Sequence, residues 1–412
     1  MGIIRVVMFF LLTDSILKIK NYGDLMLLDS EIQKYLKMNH IKVYIEKDYE
    51  FLDLSIIDDD LKGKEIFLTG ENHGVKANEK LRIKFLKYFK EKTDFKYYLC
   101  ELPYSISYFL NIYLETGDIE ILKEIYKPLK GTDAWNRDDF NHWIKLYEFN
   151  RSLPKNRRIK VIGVDIEHQP ENAFRFMKYI LPKGDIPMEI RKMIGEIKSI
   201  LNNDINISDN NIEEFSLKLN RDLEDKEYTY RKYLGKDYFR FKFVNKNLLH
   251  RHKVYHGNNF NGIRDKKIYK NFLEIEKRLP KGKYYGQWGL SHIFQKPFPY
   301  VNWLGARLNG QGSIFKGKVL SIAYVYDNCK YLYPTSTKNY ISSINTLDLK
   351  VKAFSSFIKS GCTLFKLNGK NSPFSKKLIW PIIHKFPKDG VTTDYFQYLM
   401  VIKDSDAVEP FT

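Results

Sequence analysis

Two histidines sit in the same local frame, each three residues after a glycine: His73 in Gly70-Glu-Asn-His-Gly74, and His292 in Gly289-Leu-Ser-His. Acids that could serve an imidazole stand beside them or at similar points elsewhere: Glu71, Glu101 and Asp165, with Glu167 and His168 just beyond. An imidazole that titrates near neutrality can take a proton from water. A neighbouring carboxylate fixes its tautomer and stabilises the imidazolium that forms. The same residue types can instead hold a divalent metal, which lowers the pKa of bound water. Both routes generate a hydrolytic nucleophile, and at this level His73, His292 and Glu101 are equally metal ligands or proton-transfer groups. The chain has no Gly-x-Ser-x-Gly elbow for a serine esterase and no glycine-rich phosphate loop.

The elements that must position these groups are legible in the apolar pattern. Residues 65–70, EIFLTG, form a short buried strand ending on glycine, followed by a helix over Lys76–Glu91 with Leu81, Phe85, Tyr88 and Phe89 on one face. A second strand, Tyr97–Leu102, is stopped by Pro103, and a helix through Ile106, Phe109, Leu110 and Tyr113 closes near Gly117. A helix over Asp139–Asn150 precedes the β-branched run IKVIGVDI, the clearest strand of the chain. Further strands are expected at Lys283–Trp288, Val319–Tyr326 and Tyr398–Lys403. Helical stretches without strands, Met188–Leu201 and Ile212–Leu234, fill the interval from about Pro187 to His256. The fold class is therefore α/β: a mainly parallel central sheet flanked by helices, with a helical insertion. Residues 1–60 form an N-terminal segment packing on the core, 61–186 and 257–412 the catalytic core, and 187–256 the insertion. Ligands of open parallel sheets bind beyond the carboxyl ends of the strands. Four consecutive strands deliver an acid or an imidazole to that rim.

Composition bounds the rest. A chain of 412 residues with 43% hydrophobic content is globular, not disordered. Its 68 Lys and Arg against 50 Asp and Glu give a net charge of +18, which favours anionic partners unless the lysines simply cover solvated faces. No long basic run or RNA-binding signature appears, so nucleic acid is not an expected partner. Cys100, Cys329 and Cys362 are too sparse for a disulfide framework or a metal cluster, which suits a reducing compartment. The cytoplasm is expected, although the apolar stretch Ile3–Leu12 with Arg5 keeps secretion open; it is far too short to span a bilayer.

Taken in order, these motifs resemble the erythromycin esterase-like family, within the wider superfamily of Tiki-type proteases and ChaN-like haem-binding proteins. The resemblance runs from about Glu65 to the C-terminus. It rests on GENHG, on the strand carrying Glu101, and on IKVIGVD preceded by Trp135. It continues through Arg264-Asp-Lys-Lys-Ile-Tyr-Lys-Asn271 followed at the expected distance by His292, WLGARL at Trp303–Leu308, and the terminal YLMVIKDSDAVEP. It implies a hydrolase acting on an ester, amide or related bond of a small or medium-sized, and on charge grounds anionic, substrate. His73 would be the base or metal ligand, Glu71 and Glu101 its orienting acids, and His292 the second imidazole. Arg264 would bind substrate carboxylate or a developing oxyanion, with Asp165 in the same substrate-binding group. Two departures are plain: the esterases have Gly-Glu-x-x-His-Gly at the first motif and usually His-Asn-x-His at the second. This chain has Gly-x-x-His at both, the paired form associated with Tiki and ChaN-like proteins, which bind metal or haem. A divalent metal cofactor and a metal-free mechanism are both open on this reading, as is metal or haem binding without turnover.

Four local readings compete with these. The stretch Phe239–His256 interleaves basic and aromatic residues, as nucleic-acid binding requires, but also suits a charged insertion helix with Phe239, Phe241 and Phe243 turned to the core. His250, His252 and His256 form either a metal cluster or surface histidines, the latter favoured because no adjacent Cys or acid completes the site. Phe294, Phe298, Tyr300 and Trp303 are pocket walls or core. Arg264-Asp265 read alone is a helix start with a local ion pair.

Overall fold

The computed structural model describes residues 29–200, 209–298, 301–334, 339–348, 351–383 and 386–411. The stretch Ile3–Leu12 and Tyr300 lie outside the described residues. An eight-stranded sheet in the order β1-β9-β10-β6-β2-β5-β3-β4 forms the centre. Its strands are β1 (His40–Val43), β2 (Ile66–Glu71), β3 (Tyr97–Pro103), β4 (Lys160–Asp165), β5 (Tyr284–Gly289), β6 (Val319–Asp327), β9 (Gly361–Lys366) and β10 (Tyr398–Lys403). All pairings are parallel except those of β9 with β1 and β10. A separate hairpin, β7 (Cys329–Pro334) and β8 (Asn339–Ile344), follows β6. Helices cover both faces, so strands such as β2 are buried along their whole length and read in sequence as unbroken apolar runs.

β1 and β9 were not expected from the sequence, since four residues, HIKV, and a short run after Gly361 carry no pattern of their own. They extend the sheet at one edge. Before β1, helix α1 (29–38) buries Ile32, Tyr35 and Leu36 at helical spacing. Strand β3 departs from expectation usefully: it does not stop before Pro103 but runs through it. Its register against β4 shifts between Cys100 and Pro103, and such irregularities re-aim side chains. Here the shifted residue is Glu101. The kinked carbonyls press on the next strand, where a Cβ on Gly163 would lie 2.3 Å from Pro103 O and 2.6 Å from Leu102 O. The glycine of IKVIGVD is therefore the space that the distortion of β3 needs. On its other side β3 pairs with β5 only at Tyr97 and Tyr98, and a crevice opens between the two strand ends.

Helix α2 (Lys76–Thr93) follows β2, α3 (Tyr104–Thr116) follows β3, α4 (Ile119–Tyr126) and α5 (Arg137–Ser152) lead to β4, and α6 (Pro170–Tyr179) follows it. The next interval holds α7 (Arg191–Ile200), α8 (Asp209–Asp225), α9 (Glu227–Leu234) and α10 (Tyr238–Tyr255), with no strand among the described residues. The helix expected over Ile212–Leu234 is broken at Lys226, which leaves helical geometry at φ −119°, ψ 33°. The break turns Tyr230 inward, fully buried, with its hydroxyl donating to Asp222 at 2.6 Å. In α10, Phe241 and Phe243 are buried core residues. His250 is buried against Asn247, and His252 pairs with Glu213 of α8 at 3.0 Å, so these histidines are spoken for within the helical layer. Helix α11 (Phe260–Glu276) lies against β4, held by Asn271 Nδ2, which donates to Val164 O at 2.9 Å and Asn247 Oδ1 at 2.7 Å. That anchoring fixes Arg264 and Asp265 in the first turns of the helix. Among the described residues no helix is long and apolar enough to cross a membrane.

Candidate active site

Glu71 closes β2, Glu101 sits at the irregularity of β3, Asp165 closes β4, and His292 lies in the short 3-10 turn Leu290–Ile293 after β5. Glu71, Glu101 and His292 face one crevice with His73 and Arg264, and Asp165 lies fully buried behind Arg264. A Cβ built on Gly289 would lie 3.6 Å from His73 Nε2, 3.5 Å from His292 Cδ2 and 3.5 Å from Glu101 Oε2. The two imidazoles and the central acid thus surround one glycine.

His73 and Glu71 form a dyad, with Nδ1 and Oε1 2.5 Å apart. Glu71 is buried and held from behind: its second oxygen accepts from Asn78 Nδ2 at 2.6 Å, and Asn78 Oδ1 accepts from the Tyr326 hydroxyl at 2.9 Å. This arrangement places the ring proton on Nδ1. In the neutral ring Nε2 then carries the lone pair toward the crevice, and it has no hydrogen-bond partner among the described residues. The His73 side chain is 46% exposed at the mouth. The Glu71 carboxylate raises its pKa to about 10, with Glu101 and Asp133 adding to the pull and burial opposing it.

Arg264 is the buried cation of the site. Its Nε donates to Asp165 at 3.1 Å; its Nη2 donates to Glu101 at 2.7 Å and also to Asp165. Nη1 has no partner among the described residues. Burial works to raise the Glu101 carboxyl, yet His292 and Arg264 hold it well below the usual carboxylate range. Glu101 Oε2 also accepts from the Gly289 N–H at 2.8 Å. His292 lies between two acids, with Nε2 3.3 Å from Glu101 and Nδ1 2.5 Å from Asp265. The Asp265 contact is an ion contact set off the axis of the ring N–H. Burial opposes charge on His292, but the two carboxylates outweigh it and raise the ring to about 9. The local Arg264–Asp265 pair suggested by their adjacency does not form; each turns to a partner far away in sequence.

Asp265, Asn78, Tyr326 and Asp133 were not singled out from the sequence. Only Asp265, next to Arg264 in the motif, carried any signal. Glu167 leaves the site: both its oxygens bond Ser105, the hydroxyl at 2.5 Å, at the start of α3, and burial raises it to about 8. His168 stays, its Nε2 3.3 Å from Asp165 and its Nδ1 3.0 Å from the Tyr255 hydroxyl. Phe294 and Phe298 are core, packed on Trp380 and Tyr395, whereas Trp303 lies edge-on to His292 at 5.0 Å.

Two adjoining cavities meet at these groups. One, about 340 Å³, runs from His73 and Glu101 past Arg82 and Glu79 to His168 and Tyr255. The other, about 610 Å³, shares Glu71, His73, Glu101, Asp133 and Arg264 and continues past His292 toward the β7–β8 hairpin. The donor set does not suit a metal ion as it stands. Both His292 nitrogens face carboxylates, and both Glu101 oxygens are taken by Arg264 and Gly289. Among the described residues no three His, Cys, Asp or Glu side chains converge as ligands.

The loop that carries His73 depends on Gly74. It has φ 85°, and a Cβ there would lie 2.3 Å from Leu332 O. Its carbonyl accepts from the N–H groups of Leu332 and Val408, both at 3.0 Å, tying the loop to β7 and the C-terminal tail. Gly74→Ala should cost about 1–3 kcal/mol for the left-handed backbone alone, with the carbonyl clash adding to it. Urea unfolding checks this, and a variant as stable as the parent would mean that the loop relaxes at no cost.

No protein-family model and no curated protein matches the sequence. Solved structures do match. A Bacillus cereus protein superposes with TM-score 0.70 at 15% identity, over 93% of this chain and 99% of that one. A succinoglycan biosynthesis protein gives 0.67 at 17%, over 92% and 98%. A histidine-to-asparagine mutant of erythromycin esterase EreC, in its open conformation, gives 0.66 at 13%, over 90% and 98%. At such identities the likeness is one of fold: this is an α/β protein with the erythromycin esterase-like architecture along nearly its whole length.

Proposed function

We propose that the protein is a hydrolase that cleaves an ester or related acyl bond by activating water on His73. The observation that carries the reading is the Glu71–His73 dyad, whose bare Nε2 faces the crevice across from a carboxylate-held guanidinium. In the neutral state Nε2 takes a proton from water, and the hydroxide adds to the acyl carbon. The oxyanion that forms lies toward Arg264, whose Nη1 can donate to it. Collapse expels the alcohol or amine, which recovers the proton from the His73 imidazolium, leaving the acid product. Glu101 keeps Arg264 and the Gly289 backbone in place, and the charged His292 keeps Glu101 ionised. Asp165 does the same for Arg264 from the other side. This mechanism uses no metal, because Arg264 and His292 already supply the positive charge that an ion would bring. A screen against ester and amide libraries tests it. Hydrolysis that survives EDTA supports the reading; hydrolysis lost to EDTA and restored by a divalent ion would replace it with metal chemistry.

The dyad also predicts a pH profile. A raised His73 pKa keeps the ring protonated at neutral pH, so kcat/KM should climb as pH rises above the ordinary value of 6.5 toward about 10. Glu71→Gln removes the charge that raises it. The neutral ring then appears at lower pH, and the rising limb should move acidward by about one unit or more while kcat falls. A limb that stays in place would detach Glu71 from the titration of His73.

A further inference from the structure

The larger cavity has a character that the rest of the surface lacks. Among the described residues Arg264 is the one Lys or Arg that lines it, and that guanidinium is engaged by Asp165 and Glu101. Beyond the catalytic groups and Asp133 its walls are uncharged. Trp303 lies on one side, Tyr331 and Tyr333 come from β7, and Asn261, Ser343 and Asn345 stand among them. Tyr333 is 55% exposed. Trp303 Nε1 is a buried donor without a partner among the described residues.

These walls discriminate between kinds of substrate. A carboxylate or phosphate would find only the catalytic cations there: Arg264 Nη1, which the acyl group uses, and the His73 ring, which must lose its proton to act as base. A purely apolar chain would bury the side-chain amides and hydroxyls unpaired, at a cost of about 1–3 kcal/mol for each group. A ligand with apolar C–H faces and a rim of hydroxyls satisfies both requirements: its faces lie on the tyrosine rings, and its hydroxyls pair with the amide and hydroxyl groups of Asn261, Ser343 and Asn345. We infer that this cavity holds the uncharged, polyhydroxylated part of the substrate, a glycosyl or polyol group whose acyl ester is presented to His73. The basic surface then reflects solvated lysines and not an anionic substrate. The inference rests on the proposed hydrolytic reading for the ester, but not for the binding.

Saturation-transfer NMR with a panel of methyl glycosides tests the binding. Hydrolysis of glucose pentaacetate against 4-nitrophenyl acetate tests its use. Tyr333 is over half exposed, so Tyr333→Ala should fold. It should weaken glycoside binding, and lower the preference for the sugar ester, by about tenfold, while Tyr333→Phe keeps both. Failure of every glycoside to bind, binding unchanged in Tyr333→Ala, or equal losses on the two esters would overturn the inference. Should neither ester be hydrolysed while Tyr333→Ala still loses glycoside binding, the cavity assignment stands and the hydrolytic reading falls.

Discussion

His73→Ala should lower kcat by about 10²–10⁴, the range that a positioned general base contributes, without loss of fold. The side chain is 46% exposed at the mouth of the crevice, so its removal empties little buried space. Glu71 remains held by Asn78 and keeps its buried hydrogen bond. The effect should fall on kcat and on kcat/KM alike, because proton abstraction is needed in the transition state and not for binding. Ester hydrolysis by the purified variant, with its circular dichroism beside the parent's, measures both parts. A folded His73→Ala protein with parental kcat would remove this histidine from the chemistry.

The second large effect concerns stability. Arg264 compensates two acids, Asp165, fully buried, and Glu101, with its side chain 14% exposed. Burial pushes the Asp165 carboxyl up, and Arg264 and His168 outweigh it, holding it well below the usual carboxylate range. A depressed carboxylate contributes stability above its ordinary pKa, and that contribution fades as pH falls through the folded-state value. In Arg264→Leu the acids are left buried without their cation, a loss of about 3–5 kcal/mol at neutral pH. Without the guanidinium, burial pushes the Asp165 carboxyl up against His168 alone, so acid neutralises it and the penalty shrinks, while His292 still faces Glu101. Urea unfolding at pH 7 and pH 4 should therefore show a large difference from the parent at pH 7 and a smaller one at pH 4. Equal losses at both would mean that Arg264 acts through packing and not through charge.

Much of the site was legible because of how parallel sheets are built. Strands buried on both faces appear as apolar runs, and the first polar residues after them lie on one rim. Glu71, His73, Asp165 and His292 follow from that rule directly. Glu101 follows in position but not in aim, since its direction comes from the irregularity before Pro103, which depends on the space at Gly163 in another strand. The partnerships were hidden for a related reason. Sequence adjacency suggests pairing Arg264 with Asp265, whereas the fold pairs Arg264 with Asp165 and Asp265 with His292. Asn78 and Tyr326, which anchor Glu71, lie on different elements with ordinary helical and strand patterns around them. The edge strand β1 is too short to have a period, its neighbour β9 has no apolar run that stands out from its surroundings, and Phe294 and Phe298 are indistinguishable in sequence from the pocket aromatic Trp303.

The account turns on the state of one imidazole ring. Long-range ¹H–¹⁵N NMR of the histidine side chains, followed through a pH titration, reads it without need of a substrate. His73 should appear at high pH as the Nδ1–H tautomer with Nε2 unprotonated, and should titrate above 6.5. A neutral ring carrying its proton on Nε2 would leave no lone pair facing the crevice, and titration below 6.5 would mean that Glu71 does not stabilise the imidazolium; either result would contradict the proposed role of the Glu71–His73 dyad.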